Sequence, residues 1–331
     1  MGLVTIWSCL VALTIILYVV LDGFSLGVAL LFPTARDEDE RDLLMDSIAP
    51  VWDANQTWIV FGGGALFVAF PMVYGVLLSA LYIPLLTFIF GLIFRGSAFE
   101  FRANATRKGR WNRAFFFGSL VAVMAQGLTL GGIISGIRVA GGHFAGGPFD
   151  WLNPFSVTVG IALISGYLLL GSTYLIIKAT GPVQDRAYRQ AFWSGLVVLG
   201  FQTLVTIWTP IHYPSVLTLW FSSPRIYFIW TFPVLGLIAF YRLIRSLKAR
   251  REIQPFFCTI LLFFAGYLGL AASLYPYAIP AGITFREAVA QHETLRFTLW
   301  GAMIVLPLVL GYTVYSYWIF RGKVGKVEYY H

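Results

Sequence analysis

The chain has 331 residues, of which 58% are hydrophobic, 17% aromatic and only 11% charged, with a mean hydropathy of +0.77. Soluble globular domains carry about 25% charged residues, so this composition cannot coat a water-facing surface, and the chain is read as an integral membrane protein. Disordered, collagen-like and disulfide-knotted classes are excluded too, because charged runs, glycine at every third position and dense cysteine are missing. Cys9 and Cys258 lie far apart in apolar runs without metal-ligand spacing, which makes both small buried hydrophobes. A net charge of +8 would suggest nucleic acid in a soluble protein; here no nucleic-acid partner is expected, because the placement of Lys and Arg carries the information.

A helical span needs about 20 predominantly apolar residues, and such runs occur near 4–32, 54–69, 73–94, 114–137, 155–177, 191–209, 226–244, 255–275 and 298–320. They predict an all-α polytopic fold of nine spans in a single integral membrane domain over 1–331. The Gly-rich segment 141–147 would divide it into two four-helix bundles plus one peripheral helix. The first run has no basic residue before it and no small-residue cleavage pattern after it, and is read as a retained span. The acidic segment 36–46 predicts a short amphipathic helix, with Leu44, Met45 and Ile48 lying on the membrane surface and Pro50 ending it. From Trp58 to Phe94 there are 37 uncharged residues, which at about 1.5 Å each would far exceed a bilayer core of about 30 Å. That stretch must fold back, and Phe70-Pro71 is the natural place. Gly62, Gly63 and Gly64 are tolerable in the second span if another helix comes into backbone contact. The polar segments 102–113, 141–147 and 276–296 are read as connections.

Cytoplasmic loops collect Lys and Arg. With nine spans and the N-terminus outside, nineteen of the 23 basic residues fall on inner segments, leaving Arg138, Arg225, Arg286 and Arg296 outside. Fusing the second and third spans would move Arg36 and Arg41 outside and worsen the asymmetry. The expected topology is N-out and C-in, in a bacterial cytoplasmic membrane.

An ionisable side chain within a span costs about 2.5 to 3.5 kcal/mol on insertion scales and is by default a functional hypothesis. Asp22 is the clearest instance, within Leu21-Asp22-Gly23-Phe24-Ser25-Leu26-Gly27 in the inner half of the first span. It serves either an interhelical hydrogen bond that fixes packing or the handling of a proton or ion. The second span opens with Trp52-Asp53-Ala54-Asn55-Gln56-Thr57-Trp58. Capping with an interfacial Trp anchor explains part of this cluster, but a carboxylate, two amides and a hydroxyl between two tryptophans exceed what a cap requires. The inner end of the third span reads Arg95-Gly96-Ser97-Ala98-Phe99-Glu100-Phe101-Arg102. Arg95 and Arg102 can snorkel there, and Glu100 forms a salt bridge at the membrane edge or receives protons. Asp22, Asp53, Arg95 and Glu100 all fall in the inner half, which sketches a proton path from the cytoplasm.

Haem in a membrane protein is held by His or Met at mid-span. His143, His212, His292 and His331 all fall in outer loops, at a span boundary or at the C-terminus, and Met124 has no His at matching depth, so no haem axial ligand is expected in this chain. His292, Glu293 and Arg296 share one helix face as an interfacial ionic cluster.

Further stretches complete a pattern: Ser47-Ile48-Ala49-Pro50-Val51 leading into Trp52-Asp53, Gly63-Gly64-Ala65-Leu66-Phe67 through Pro71, Leu152-Asn153-Pro154-Phe155, Tyr275-Pro276-Tyr277, and the tail Tyr315-Ser316-Tyr317-Trp318-Ile319-Phe320-Arg321-Gly322-Lys323-Val324. Together with Asp22-Gly23-Phe24, Leu26-Gly27-Val28, Phe94-Arg95 and Phe99-Glu100-Phe101-Arg102, they strongly resemble subunit II of the cytochrome bd-type quinol oxidases, including the cyanide-insensitive branch. The match runs end to end, and Ser47 to Trp58 is its most specific part. The resemblance implies a heterodimer in which subunit I carries the haem b and haem d type groups and the quinol site, while this haem-free chain stabilises it. Such a complex oxidises ubiquinol or menaquinol and reduces oxygen to water, drawing protons from the cytoplasm and building proton-motive force without pumping. It further implies that Asp53 lies near the mouth of a proton path and Asp22 in a buried polar layer, and that Trp52 supports the haem region across the interface. Asn55, Gln56, Trp58 and Arg95 are supporting groups. A structural quinone and a small single-helix accessory subunit are further family associations. One departure stands out: the family often reads Asp-Gly-Phe-Asp, and this chain has Ser25 in the fourth place, so a relay there must use Ser25 or water. The competing reading is a secondary transporter or channel, since a mid-membrane Asp and glycine-rich spans occur there as well. The paucity of midplane polar groups beyond Asp22 counts against it.

Overall fold

The computed structural model describes residues 2–212, 220–223, 225–280 and 282–324. His331 and Lys326 lie outside the described residues, as do the side chains of His212 and Arg225. Eleven helices occur in the described residues: α1 (Gly2–Leu31), α2 (Glu38–Ile48), α3 (Trp52–Ala69), α4 (Pro71–Arg102), α5 (Lys108–Ile134), α6 (Pro154–Lys178), α7 (Gly181–His212), α8 (Arg225–Lys248), α9 (Gln254–Leu274), α10 (Phe285–Ala288) and α11 (His292–Ile319). Two small antiparallel hairpins, β1 (Val139–Ala140) with β2 (His143–Phe144) and β3 (Tyr277–Ile279) with β4 (Ile283–Thr284), sit in segments read from sequence as plain connections.

Eight helices (α1, α4, α5, α6, α7, α8, α9 and α11) are long and apolar enough to cross a membrane. The 18-residue α3 is not among them, because Asp53, Asn55, Gln56 and Thr57 lower the apolarity of its first turns. It nevertheless runs the depth of the bundle, and the carbonyl of Ala69 at its far end accepts a 2.9 Å bond from Ala290 N, just ahead of α11. The fold-back falls at Phe70, whose φ of −136° and ψ of 63° leave the helical region ahead of Pro71. A second break, unforeseen from sequence, occurs at Leu81 within α4 (φ −120°, ψ 17°), three residues before Pro84. The proline ring clashes with the preceding turn and bends the helix there.

Helix α1 is the hub. It packs on α3, α5 and α6, and α3 and α5 both contact α4, closing one ring of four. Helices α6, α7, α8 and α9 close a second, and α11 lies outside, against α3 and α1. Glycine sets the distance between the rings. A Cβ placed on Gly27 of α1 would stand 1.9 Å from the Tyr167 carbonyl oxygen of α6, and one on Gly171 would stand 2.3 Å from the Gly27 carbonyl carbon. Gly127 and Gly160 bring α5 and α6 together in the same way. The expectation for the triplet is corrected: Gly63 and Gly64 have nothing within 4 Å, and only Gly62 meets another helix, at Thr14 Oγ1. Successive positions turn about 100° round a helix, so three adjacent glycines cannot all face one neighbour.

The surface-lying role expected for α2 is also corrected. Leu44, Met45 and Ile48 are buried in the main apolar core, and Tyr174 Oη of α6 donates to the Ser47 carbonyl at 2.9 Å. Cys9, expected to be buried, is exposed, whereas Cys258 is buried. Opposite ends of the bundle are tied separately. At one end Arg186 bonds Glu40 of α2 at 2.5 Å, Val324 N donates to the Lys178 carbonyl at 2.8 Å, and Lys323 pairs with Glu252 at 2.9 Å. At the other, Trp7 Nε1 donates to the Leu295 carbonyl at 3.2 Å, and the Phe70 and Phe285 rings lie 5.3 Å apart.

Overpacking in a fixed interface costs about 1–3 kcal/mol or more. Gly27→Ala and Gly171→Ala are therefore expected to lower the apparent Tm of the detergent-solubilised protein by several degrees, with Gly63→Ala within error of wild type. Equal melting of all three would remove the backbone contact as the determinant of the joint.

Candidate functional site

Asp22 of α1 and Arg95 of α4 form a salt bridge in the core of the first ring, both with no side-chain exposure. Arg95 Nη1 donates to both carboxylate oxygens, at 2.9 and 3.0 Å. The guanidinium also lies 5.8 Å from the Trp52 ring of α3, a cation–π contact strengthened by exclusion of water. Tyr18, one turn from Asp22, and Tyr167 of α6 are its electrostatic neighbours. The Tyr18 hydroxyl makes no hydrogen bond of good geometry, whereas Tyr167 Oη donates to Gln126 Oε1 at 3.0 Å.

One turn inward, Asn55 joins three helices. Its Nδ2 donates to the Leu21 carbonyl at 2.7 Å and to Ser25 Oγ at 3.3 Å, and its Oδ1 accepts from Tyr317 Oη of α11 at 2.9 Å. Ser25 thus occupies its unusual place as a buried hydroxyl bound to an amide. Trp58 is fully buried, Trp52 is half-buried and meets Phe99 in a tilted ring contact with centroids 4.8 Å apart, and Gln56 is half-buried.

The four charged groups read as converging do not all meet. Asp22 and Arg95 pair, while Asp53 and Glu100 are exposed on the outward faces of α3 and α4, outside the ring. Helical geometry is the cause: Asp53 sits about 200° round α3 from Asn55, and Glu100 about 140° round α4 from Arg95. On α3, Asp53 shares its exposed face with Thr57, Val60, Gly64 and Phe67. Glu100 makes no salt bridge among the described residues, and Arg95, instead of snorkelling, points inward.

Arg102 differs from expectation as well. It is 3% exposed and ties α4 to α2: Nη2 bonds Glu38 at 2.6 Å, Nη1 bonds Asp42, and Nε donates to Asn112 Oδ1 of α5 at 2.5 Å. Lys108 pairs with Asp42 at 3.1 Å, and Asn112 Nδ2 donates to Glu38 at 3.0 Å. Glu38, Asp42 and Asn112 were missed from sequence. The available signal was an acidic segment at 37–42 and a basic one at 102–113, both expected on the inner side from the distribution of Lys and Arg.

Burial by itself would raise the Glu38 carboxyl, but Arg41, Arg102 and Asn112 outweigh it and hold it below its ordinary value; Arg102 and Lys108 do the same for Asp42. Groups so depressed contribute stability that is present above the unfolded value of about 4 and lost as pH falls through their folded values. Below about pH 4, α2 is expected to detach from α4 and α5. Amide hydrogen exchange, corrected for intrinsic rate, should rise in 38–48 before it rises in the long helices, and uniform protection down to acid unfolding would refute the tie.

Among the described residues no three His, Cys, Asp or Glu side chains stand close enough together to hold a metal ion. His143, in the β1–β2 hairpin, and His292, at the start of α11, are both exposed and lie outside the helix interior.

The model of the cytochrome bd terminal oxidase subunit II family matches residues 3–320. The chain belongs to that family. It is 28% identical to cytochrome bd-I ubiquinol oxidase subunit 2 of Escherichia coli K12, covering 98% of this chain and 95% of that protein. It is 27% identical to cytochrome bd ubiquinol oxidase subunit 2 of Bacillus subtilis, covering 98% and 97%. The fold matches a chain in the structure of bd oxidase from Geobacillus thermodenitrificans with a TM-score of 0.75 and 17% identity, over 97% of this chain and 99% of that one. The family's helical membrane architecture is thereby shared over nearly the whole chain.

A buried charge that loses its partner costs about 3–5 kcal/mol. Arg95→Ala is expected to reduce the yield of folded protein and lower the apparent Tm more than the paired change Asp22→Asn with Arg95→Gln. If the single and paired variants melt alike, the pair is not what holds α1 to α4.

Proposed function

We propose that this chain is the haem-free subunit II of a quinol:oxygen oxidoreductase, held in a bacterial cytoplasmic membrane by nine spans with the N-terminus outside and the C-terminus inside. Its partner in this reading is a subunit I that carries the haems and the quinol site, and the complex reduces oxygen to water. The observation that carries the reading is family membership over residues 3–320, supported by relatives matched over nearly their whole length. The exposed His143 and His292 suit a haem-free role, since both lie outside the helical layers.

The chain's own residues then divide into two roles. Asp22 and Arg95 hold the first ring rigid, and Asn55, Ser25 and Tyr317 fix α3 and α11 to it. Asp53, with Thr57 beside it on the exposed face of α3, receives protons from the cytoplasmic side and passes them toward the partner; Glu100, exposed at the same end of α4, is the second entry carboxylate. This assignment rests on their exposure at the end of the bundle where α2 and its basic partners cluster.

Purification in mild detergent is expected to bring down a larger haem-bearing chain with a reduced-minus-oxidised haem spectrum; a monodisperse single chain without haem would sink the proposal. In the complex, Asp53→Asn should slow quinol-driven oxygen consumption several-fold with haem content unchanged. Loss of haem together with activity would assign Asp53 a structural role instead.

A further inference from the structure

The core of the first ring holds more hydrogen-bond donors than the chain satisfies. Arg95 presents five N–H donors, and only Nη1 is used, on Asp22; Nε and Nη2 are fully buried without a protein partner. Ser119 Oγ and Trp58 Nε1 are buried in the same condition, and Tyr18 Oη, beside the Asp22 carboxylate, makes no hydrogen bond of good geometry. These groups come from the four helices of the first ring, α1, α3, α4 and α5. Tyr18 is one turn from Asp22 and interacts electrostatically with both Asp22 and Arg95. Ser119 follows Gly118, where a Cβ would stand 2.9 Å from the Arg95 backbone nitrogen. Trp58 lies one turn from Asn55, which bonds the Leu21 carbonyl.

Leaving a buried donor unmet costs about 1–3 kcal/mol, and more for a charged group. The acceptor that meets these donors must be small and uncharged, since the Asp22 carboxylate at the same place repels an anion. It must also be able to donate, because a carboxylate has about four lone-pair sites and Asp22 uses two here. Water has both properties, and buried water typically makes about three such bonds.

We propose that the first ring encloses a bound water site, in which water accepts from Arg95 Nε or Nη2, with the Tyr18 and Ser119 hydroxyls as further partners, and donates to the Asp22 carboxylate. The site hydrates the ion pair within the membrane interior and offsets part of its desolvation cost. It stands on this chain's geometry alone and does not depend on the proton route assigned to Asp53.

A structure of the intact membrane complex that resolves ordered water tests it directly. The expected result is density within hydrogen-bond distance of Arg95 Nε or Nη2 and of at least one of Tyr18 Oη, Ser119 Oγ and Asp22. Clear side-chain density with no such peak, or an Arg95 turned so that protein acceptors meet both nitrogens, would overturn it. The variant Ser119→Ala decides by the sign of its effect, because Ser119 Oγ has no protein partner. A hydroxyl that binds water is missed on removal, so the apparent Tm falls; an idle buried hydroxyl is better removed, so an unchanged or raised Tm refutes the site.

Discussion

A guanidinium and a carboxylate, both without solvent exposure among apolar helices, form the constraint around which the first ring is arranged. Each charge would be prohibitively costly there alone, so α1 and α4 can be joined in only the register that pairs them. The same arginine lies beside Trp52, which draws in the start of α3, and one turn inward Asn55 spans from α1 to α11. Helices that share no apolar driving force within a bilayer need such polar anchors, together with small residues that let backbones close. Gly27 and Gly171 supply that second element where the first ring meets the second.

Polarity is partitioned between the interior and the surface of this chain. Asp22, Arg95, Asn55 and Ser25 are enclosed and engaged with one another's helices, which suits them to hold geometry. Asp53, Thr57 and Glu100 face outward, which suits them to meet something beyond the chain. One end of the bundle is secured by a third set, in which α2 lays Glu38 and Asp42 against Arg102 and Lys108. That network stabilises the end of the bundle from which protons would be drawn in the proposed role, and its half-exposed carboxylates leave it open to screening by salt.

Much of the fold was legible because bilayer physics imposes long apolar runs. The need for a break between Trp58 and Phe94 followed from length and its place at Phe70-Pro71 from proline, while the apolar run near 155–177 located α6 to within a few residues. Helix ends were less legible: α7 begins at Gly181, ten residues before the apolar run at 191, because a helix continues into water on backbone bonds that hydropathy does not register. Helix α3 starts at Trp52, two residues ahead of the apolar run read at 54, and its inward amide, Asn55, is satisfied by other helices and not by water.

By itself the sequence determined the class, the family motifs and the identity of the few ionisable residues in apolar surroundings, because each of these is a matter of composition or local order. Which of them meet was decided only by tertiary structure. Asp22 and Arg95 stand 73 positions apart, and Arg102 reaches Glu38 across 64; no local pattern encodes those distances. Asp53 and Glu100 face away from the pair, because the rotation of a helix about its axis is set by how it packs against its neighbours.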